Sequence, residues 1–365
     1  MKKFLYVLVC LLLLAGIGGS AYLLKGGNQG KDTNTSMEQS EERVDHSEED
    51  DGDSSVEDDG DSSVEDEPIQ ETVVKGLTVP KNEEELIAEG LTMRKGATLD
   101  YTEGERAIRI TCDITQELYD EVKADENKTL GMLLIPQKFF DQVNTGKYTY
   151  IDWINAFNEA GITTYQYMVY DDDIIGDTDT GKYMRYRLWG LSYTAIVHNI
   201  TCIGVLATTN ADGSVTYQYA AMPKGETYQS NSRSIAYVAA ESLNNYASGL
   251  EEYDDAQLAK LRGYINETVD ILNGLSAATD DGSTFEIAFA EETQSLTIGE
   301  SLNLSVRVTP GLELPNSTIP IVFESLNADA VTVDEQGKIT ALQSGTAVVR
   351  AYVAGEVAAI TIRVS

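Results

Sequence analysis

The chain has little of what most catalytic sites are built from. Its 365 residues include two histidines, His46 and His198, and three cysteines, Cys10, Cys112 and Cys202. No Cys-x-x-Cys pair occurs, which leaves neither a set of zinc ligands nor a histidine-based acid–base pair. No Gly-x-Ser-x-Gly elbow and no phosphate loop can be drawn. Positive charge is also scarce. Lys and Arg total 26 against 60 Asp and Glu, a formal net charge of −34. Nucleic-acid binding needs a basic face that releases counterions, so that class is excluded. Anionic wall polymers and lipid headgroups should be repelled by the same field. With 60 acidic residues, some pair satisfies any glycosidase separation, so carboxylate spacing carries no information. The sequence therefore predicts a non-enzymatic chain with no catalytic residue, cofactor or metal ion.

What the chain does have begins with residues 4–24, apolar throughout and flanked by Lys2-Lys3 and Lys25. A spanning helix needs about 20 such residues, so the stretch predicts an N-terminal transmembrane helix with the rest of the chain outside the cell. Gly19-Ser20-Ala21 leaves a cleaved export signal open, in which case the remainder is secreted. Cys10 lies mid-stretch, which argues against a lipoprotein. Residues 26–71 are too acidic and too poor in apolar side chains to fold, and residues 51–58 repeat without change as 59–66. This segment is expected to be a solvated stalk reaching roughly 35–40 Å.

Residues 72–290 show strand-like alternation at 106–112, 164–170, 183–189 and 215–220, with a hairpin expected between 200–208 and 214–221. Asp113-x-x-Gln116, with Ile114, Leu118 and Val122 on one side, predicts a helix. Ile151, Ile154 and Phe157 predict a second, ending at Gly161. Two more are expected over 230–248 and from Asp254-x-x-Gln257 to Gly274. Strands followed by a helical pair predict an α+β module. The polar, turn-rich segment 279–284 reads as the boundary to an all-β region, 291–365, whose short strands and tight turns predict a small sandwich.

In that region Ile298-Gly299-Glu300-x-Leu302-x-Leu304, Pro310, Phe323-x-Ser325-x-Asn327 and the run from Ala330-Val331-x-Val333-Asp334 through Gly337-Lys338-Ile339-Thr340-Ala341-Leu342 to Gly345-Thr346-Ala347 resemble the bacterial Ig-like group 2 domain. The resemblance covers about 295–364, with Phe323 where that family often has Trp, and it implies an immunoglobulin-like sandwich. Gly96-Ala-x-Leu-x-Tyr101, Ile108-Arg-Ile110, residues 131–136, Gly204-Val205 and residues 231–240 are similar to an uncharacterised module of Gram-positive surface proteins. That likeness implies a location, a role in display or adhesion, and no assigned chemistry.

Four questions remain open at this level. Tyr165, Tyr167, Tyr170, Tyr183, Tyr186 and Trp189 could form an aromatic platform for a sugar ring or a protein, or reflect only strand propensity. Asp171, Asp173, Asp177 and Asp179, before Gly181, fit either a calcium loop or a solvated turn. Cys112 and Cys202 could pair or stay as buried thiols. Arg233 offers its fork to a neighbouring carboxylate, with Tyr237 packed on a sheet. Leu314-Pro-Asn-Ser-Thr318 lacks the order of a sortase signal and no apolar tail follows, so attachment is expected at the N-terminus. The expected partner is a host or cell-envelope protein or a glycan, with a carbohydrate-recognising accessory module and a ligand-free surface spacer as the alternatives.

Overall fold

The computed structural model describes residues 83–102, 104–144, 149–170, 175–314 and 316–365. The apolar stretch 4–24 and the acidic segment 26–71 lie outside the described residues. Among the described residues no helix is long and apolar enough to cross a membrane.

The first part of the chain builds one sheet. Its strands are β1 (Ile87–Met93), β2 (Thr98–Leu99), β3 (Ile108–Thr115), β4 (Lys128–Pro136), β5 (Gln166–Val169), β6 (Gly176–Thr178), β7 (Gly181–Leu188), β8 (Ile200–Thr209) and β9 (Val215–Ala221). The spatial order is β5-β4-β8-β9-β1-β3-β7-β6, with β2 on β3. Every pairing is antiparallel except β1 with β9. Alternation sets the two faces. Along β3, Ile108, Ile110, Cys112 and Ile114 are buried and sit opposite Leu188, Tyr186, Met184 and Lys182. The residues between them, Arg109, Thr111 and Asp113, sit opposite Arg187, Arg185 and Tyr183 and point the other way. The sheet also curls, because Tyr186 on β7 donates to Gln166 Oε1 on β5 at 2.5 Å although five strands separate them in the order.

Among the described residues five α-helices complete this part: α1 (Gln116–Ala124), α2 (Gln137–Val143), α3 (Trp153–Glu159), α4 (Ile235–Ala247) and α5 (Asp255–Leu272). The Asp254–Gln257 capping box opens α5 as the sequence predicts. The start of α1 differs. Strand alternation runs on through Asp113 and Ile114, whose side chain is buried against the sheet, so neither belongs to the helix. Thr115, still extended at φ −65° and ψ 154°, caps it by accepting from Leu118 N. Similarly, Ile151 precedes α3, whose cap is Asp152.

The C-terminal strands are β10 (Glu286–Phe289), β11 (Thr293–Leu296), β12 (Ser301–Asn303), β13 (Val306–Thr309), β14 (Glu313–Leu314) and β15 (Ser317–Thr318). After them come β16 (Ile321–Ser325), β17 (Val331–Val333), β18 (Lys338–Ala341), β19 (Gly345–Val353) and β20 (Glu356–Val364). A four-stranded sheet, β11-β20-β19-β16, faces a three-stranded one, β12-β18-β17. Leu296, Val331, Ile339, Val349 and Ile362 fill the space between, a β-sandwich with its own core.

That sandwich is seated on α4. Leu314, Ile319, Val353 and Ala354 belong to the module's core rather than to the sandwich's. Asn244, 1% exposed, donates to Pro320 O at 3.1 Å and accepts from Gly355 N at 3.0 Å. The hydroxyls of Ser234 and Ser317 meet at 2.9 Å. The connecting segment is tied down as well. The buried Asp270 carboxylate accepts from Thr279 N at 2.7 Å and from the Ser283 hydroxyl at 3.3 Å.

Candidate functional site: an arginine and aromatic face

Because β1, β3 and β7 are adjacent, their outward residues converge. Arg94 follows β1 and bonds its backbone N–H to Thr111 O, which places it beside Thr111 and Asp113. Arg109, Arg185 and Arg187 come from β3 and β7, Tyr183 precedes them on β7, and Trp189 follows it. Four arginines and two large aromatics therefore share one side of the sheet, in a chain of net charge −34.

Stacking organises them. Two arginines approach the Tyr183 ring, Arg94 at 5.6 Å from its centroid and Arg185 at 4.8 Å. Arg187 lies 5.5 Å from the Trp189 ring. A cation over an aromatic face is held at a contribution of about 0.5–1 kcal/mol at exposed sites. Gly176 on β6 allows the Tyr183 ring its place, since a Cβ there would come within 2.2 Å of the ring.

Three of the arginines have carboxylate partners. Arg94 Nε and Nη2 grip Asp113 at 2.6–3.0 Å. Arg109 Nη2 lies 2.8 Å from Asp100 Oδ2, and Arg187 bonds both Asp100 and Glu105. Asp100 is 1% exposed. Burial alone would raise its pKa, but the Thr102 hydroxyl and N–H, the Arg187 hydrogen bond and the Arg109 charge outweigh it and hold the carboxyl well below the usual range. Arg185 differs. It donates to the Thr111 hydroxyl at 3.3 Å, and among the described residues no carboxylate lies within ion-pair distance of it. Its exposed guanidinium has donors to spare for an acidic ligand.

The six aromatic residues singled out in the sequence occupy three places. Tyr183 and Trp189 stand on this outward face. Tyr170 and Tyr186 are buried inside the curl, at 7% and 6% exposure, and burial pushes the Tyr170 phenol up. Tyr165, just before β5, and Tyr167, on it, take the third place. Tyr165 donates to Asn158 Oδ1 at 2.7 Å, with its ring 5.7 Å from that of Phe157. Tyr167 packs against Gly131 and edge-on to Tyr217, and burial pushes its phenol up to about 12. The structure does not bring the six onto one plane. The arginines are not anticipated by the net charge, which points away from any basic patch; the signal for them is the alternation Tyr183-x-Arg185-x-Arg187-x-Trp189.

The remaining candidates are quickly placed. Cys112 and Cys202 are free and buried, and burial pushes both thiols up. Asp171 to Asp173 lie outside the described residues, and Asp177 pairs with Lys182 Nζ at 2.5 Å. Among the described residues no three His, Cys, Asp or Glu side chains are grouped to hold a metal ion.

No family model matches the chain, and no curated protein matches it. Among solved structures it aligns with an I-band fragment of titin at 7% identity and a TM-score of 0.17, over 75% of this chain and 65% of that one. It also aligns with the S-layer protein rSbsC at 8% identity and a TM-score of 0.19, over 75% of this chain and 35% of that one. The chain thus spans less than two-thirds of either. At these scores neither alignment bears on function.

Proposed function

We propose that the chain is a non-enzymatic binding protein of the bacterial cell surface, held by its N-terminal apolar stretch, with the outward face of β1, β3 and β7 as its ligand surface. The ligand class that fits best is a glycan bearing carboxylate groups. The observation that carries this is the pairing of arginine-stacked Tyr183 and Trp189 with Arg185, which has no described carboxylate partner. Aromatic faces take sugar rings, while a guanidinium takes a carboxylate through paired N–H donors. The resemblance of residues 295–364 to bacterial Ig-like group 2 domains supports a display role for the sandwich, which we read as the platform that presents this face.

Co-sedimentation of the full chain in detergent with insoluble polyuronates and with cellulose tests the reading. Saturable binding to polyuronate is expected, weaker at high salt, and at least tenfold weaker in Arg185→Glu and Trp189→Ala. Equal retention on cellulose, or binding untouched by both changes, overturns it. Binding to a protein matrix alone would favour adhesion through another surface.

A further inference from the structure

Arg233 lies just before α4 and is 5% exposed. The sequence suggests a carboxylate partner for it, yet none of the described carboxylates lies within ion-pair distance. Its Nη1 donates to the carbonyls of Ser230 at 2.5 Å and Ser232 at 3.0 Å, and its guanidinium carbon lies 4.5 Å from the Tyr237 ring centroid. Among the described residues its Nε has no partner, and none accepts from Nη2. These two atoms form the edge of the guanidinium that grips a carboxylate with two parallel N–H bonds. Gly96, at φ +71°, borders the same edge, where a Cβ would lie 3.7 Å from Nε and 3.8 Å from Nη2.

A buried cation is costly unless something nearby balances it. Two carboxylates feel the Arg233 charge. Glu226 is already engaged by Lys95 at 2.7 Å and by the Ser230 hydroxyl at 2.7 Å. Glu241, whose pKa burial raises, lies beyond ion-pair distance of Arg233. Beside Arg233 opens a cavity of about 480 Å³, between the start of α4 and the β14–β15 hairpin. Gln137, Asn199, Gln229, Ser232, Ser317 and Thr318 supply neutral hydrogen-bonding walls, with the exposed carboxylate of Glu313 at the rim. Asn199 Nδ2 donates to Gln137 Oε1 at 2.8 Å, while its buried Oδ1 has no partner among the described residues. A cavity of this size suits one small ligand.

We infer that this cavity binds a small hydroxylated carboxylic acid of the sugar-acid class. Arg233 Nε and Nη2 grip the carboxylate, and Asn199 Oδ1 accepts from a ligand hydroxyl. The positive end of the 13-residue helix α4 adds to the attraction. This inference is independent of the outward arginine face.

Calorimetry and thermal shift on the full chain test it, with D-galacturonate, acetate, D-galactose and inorganic phosphate as probes. In Arg185→Glu, where the outward arginine face is disabled, galacturonate is expected to bind saturably, one per chain, and to raise the Tm. Galactose, which lacks the carboxylate, should bind at least tenfold more weakly. Arg233→Lys keeps the charge but not the fork and should weaken galacturonate at least tenfold. Should that variant fail to fold, Asn199→Asp carries the test: it lies on the half-buried wall, sets a negative charge beside the ligand, and should give a similar loss. The inference is overturned by the absence of saturable carboxylate binding, by phosphate binding more tightly than galacturonate, or by unchanged affinity in Asn199→Asp.

Discussion

Asn244 on α4 accepts the backbone N–H of Gly355 at 3.0 Å, and with the same amide it donates to Pro320 O. One helical side chain thus satisfies a tight turn of the sandwich and the residue before β16. Gly355 has to be small here, since a Cβ would lie 3.3 Å from that of Leu243. Replacing Asn244 by Ala strands two backbone groups at a closed junction, which costs about 1–3 kcal/mol. Urea unfolding should change from one transition toward two in Asn244→Ala, as the sandwich loses its seat. An unaltered, single transition would show that apolar packing alone holds it.

Asp100 gives the fold an acid limit. Its carboxyl lies well below the range of an unfolded aspartate, about 3.9, so its stabilising effect is fully present above that pH. As pH falls below about 4 the unfolded chain takes up a proton that the folded chain resists, and stability drops. Asp100→Asn should be less stable at pH 7 yet show a flatter loss of Tm between pH 5 and 2.5. Parallel curves for the two proteins would contradict this.

At the alkaline end the sign reverses. Burial raises Tyr167 to about 12, above an ordinary phenol near 10. Its contribution is therefore present below pH 10 and lost as pH rises toward 12, where the unfolded chain releases a proton the folded one keeps. Tyr167→Phe should flatten the alkaline fall in Tm, and its absorbance titration at 295 nm should lack one late-ionising phenol.

Gly204 on β8 sets the spacing of the inner face. A Cβ there would lie 2.6 Å from Cys112 Sγ and 3.0 Å from the Ala220 Cβ. Gly204→Ala should cost about 1–3 kcal/mol through overpacking. Cys112→Ala removes the nearer obstacle, so the double variant should be more stable than the sum of the two single losses predicts. Additive losses would mean that Ala220, not the thiol, is the barrier.

Both thiols are buried and free. Neither Cys112 nor Cys202 should react with a thiol reagent in the native protein within minutes, whereas both should react fully in denaturant. Rapid native labelling would indicate local opening of β3 or β8.

Local chemistry was legible in the sequence where one short segment decides the outcome. Asp254 and Gln257 announce the start of α5, and the neighbouring runs 200–208 and 214–221 announce the β8–β9 hairpin. The start of α1 was misread because Asp113-x-x-Gln116 satisfies a capping pattern while Ile114 satisfies strand alternation, and burial of Ile114 decides between them. Sheet order was not legible, since β1 enters between β9 and β3 and pairs Ile87 with Tyr219 across 132 positions. The arginine face depends on that same adjacency: Arg94 reaches Tyr183 only because β3 lies between their strands. Net charge, a sum over the whole chain, hides so local an arrangement.

Within the sandwich, β11 and β20 run side by side in the same direction, with Thr293 opposite Thr361 and Leu296 opposite Val364. Tension applied at the β11 entrance and at the Ser365 end would pull these neighbours past one another. The rungs would then share the load at once instead of opening singly, as they would in a hairpin pulled from its open end. The direction of one strand thus sets how the sandwich would meet a load along the chain.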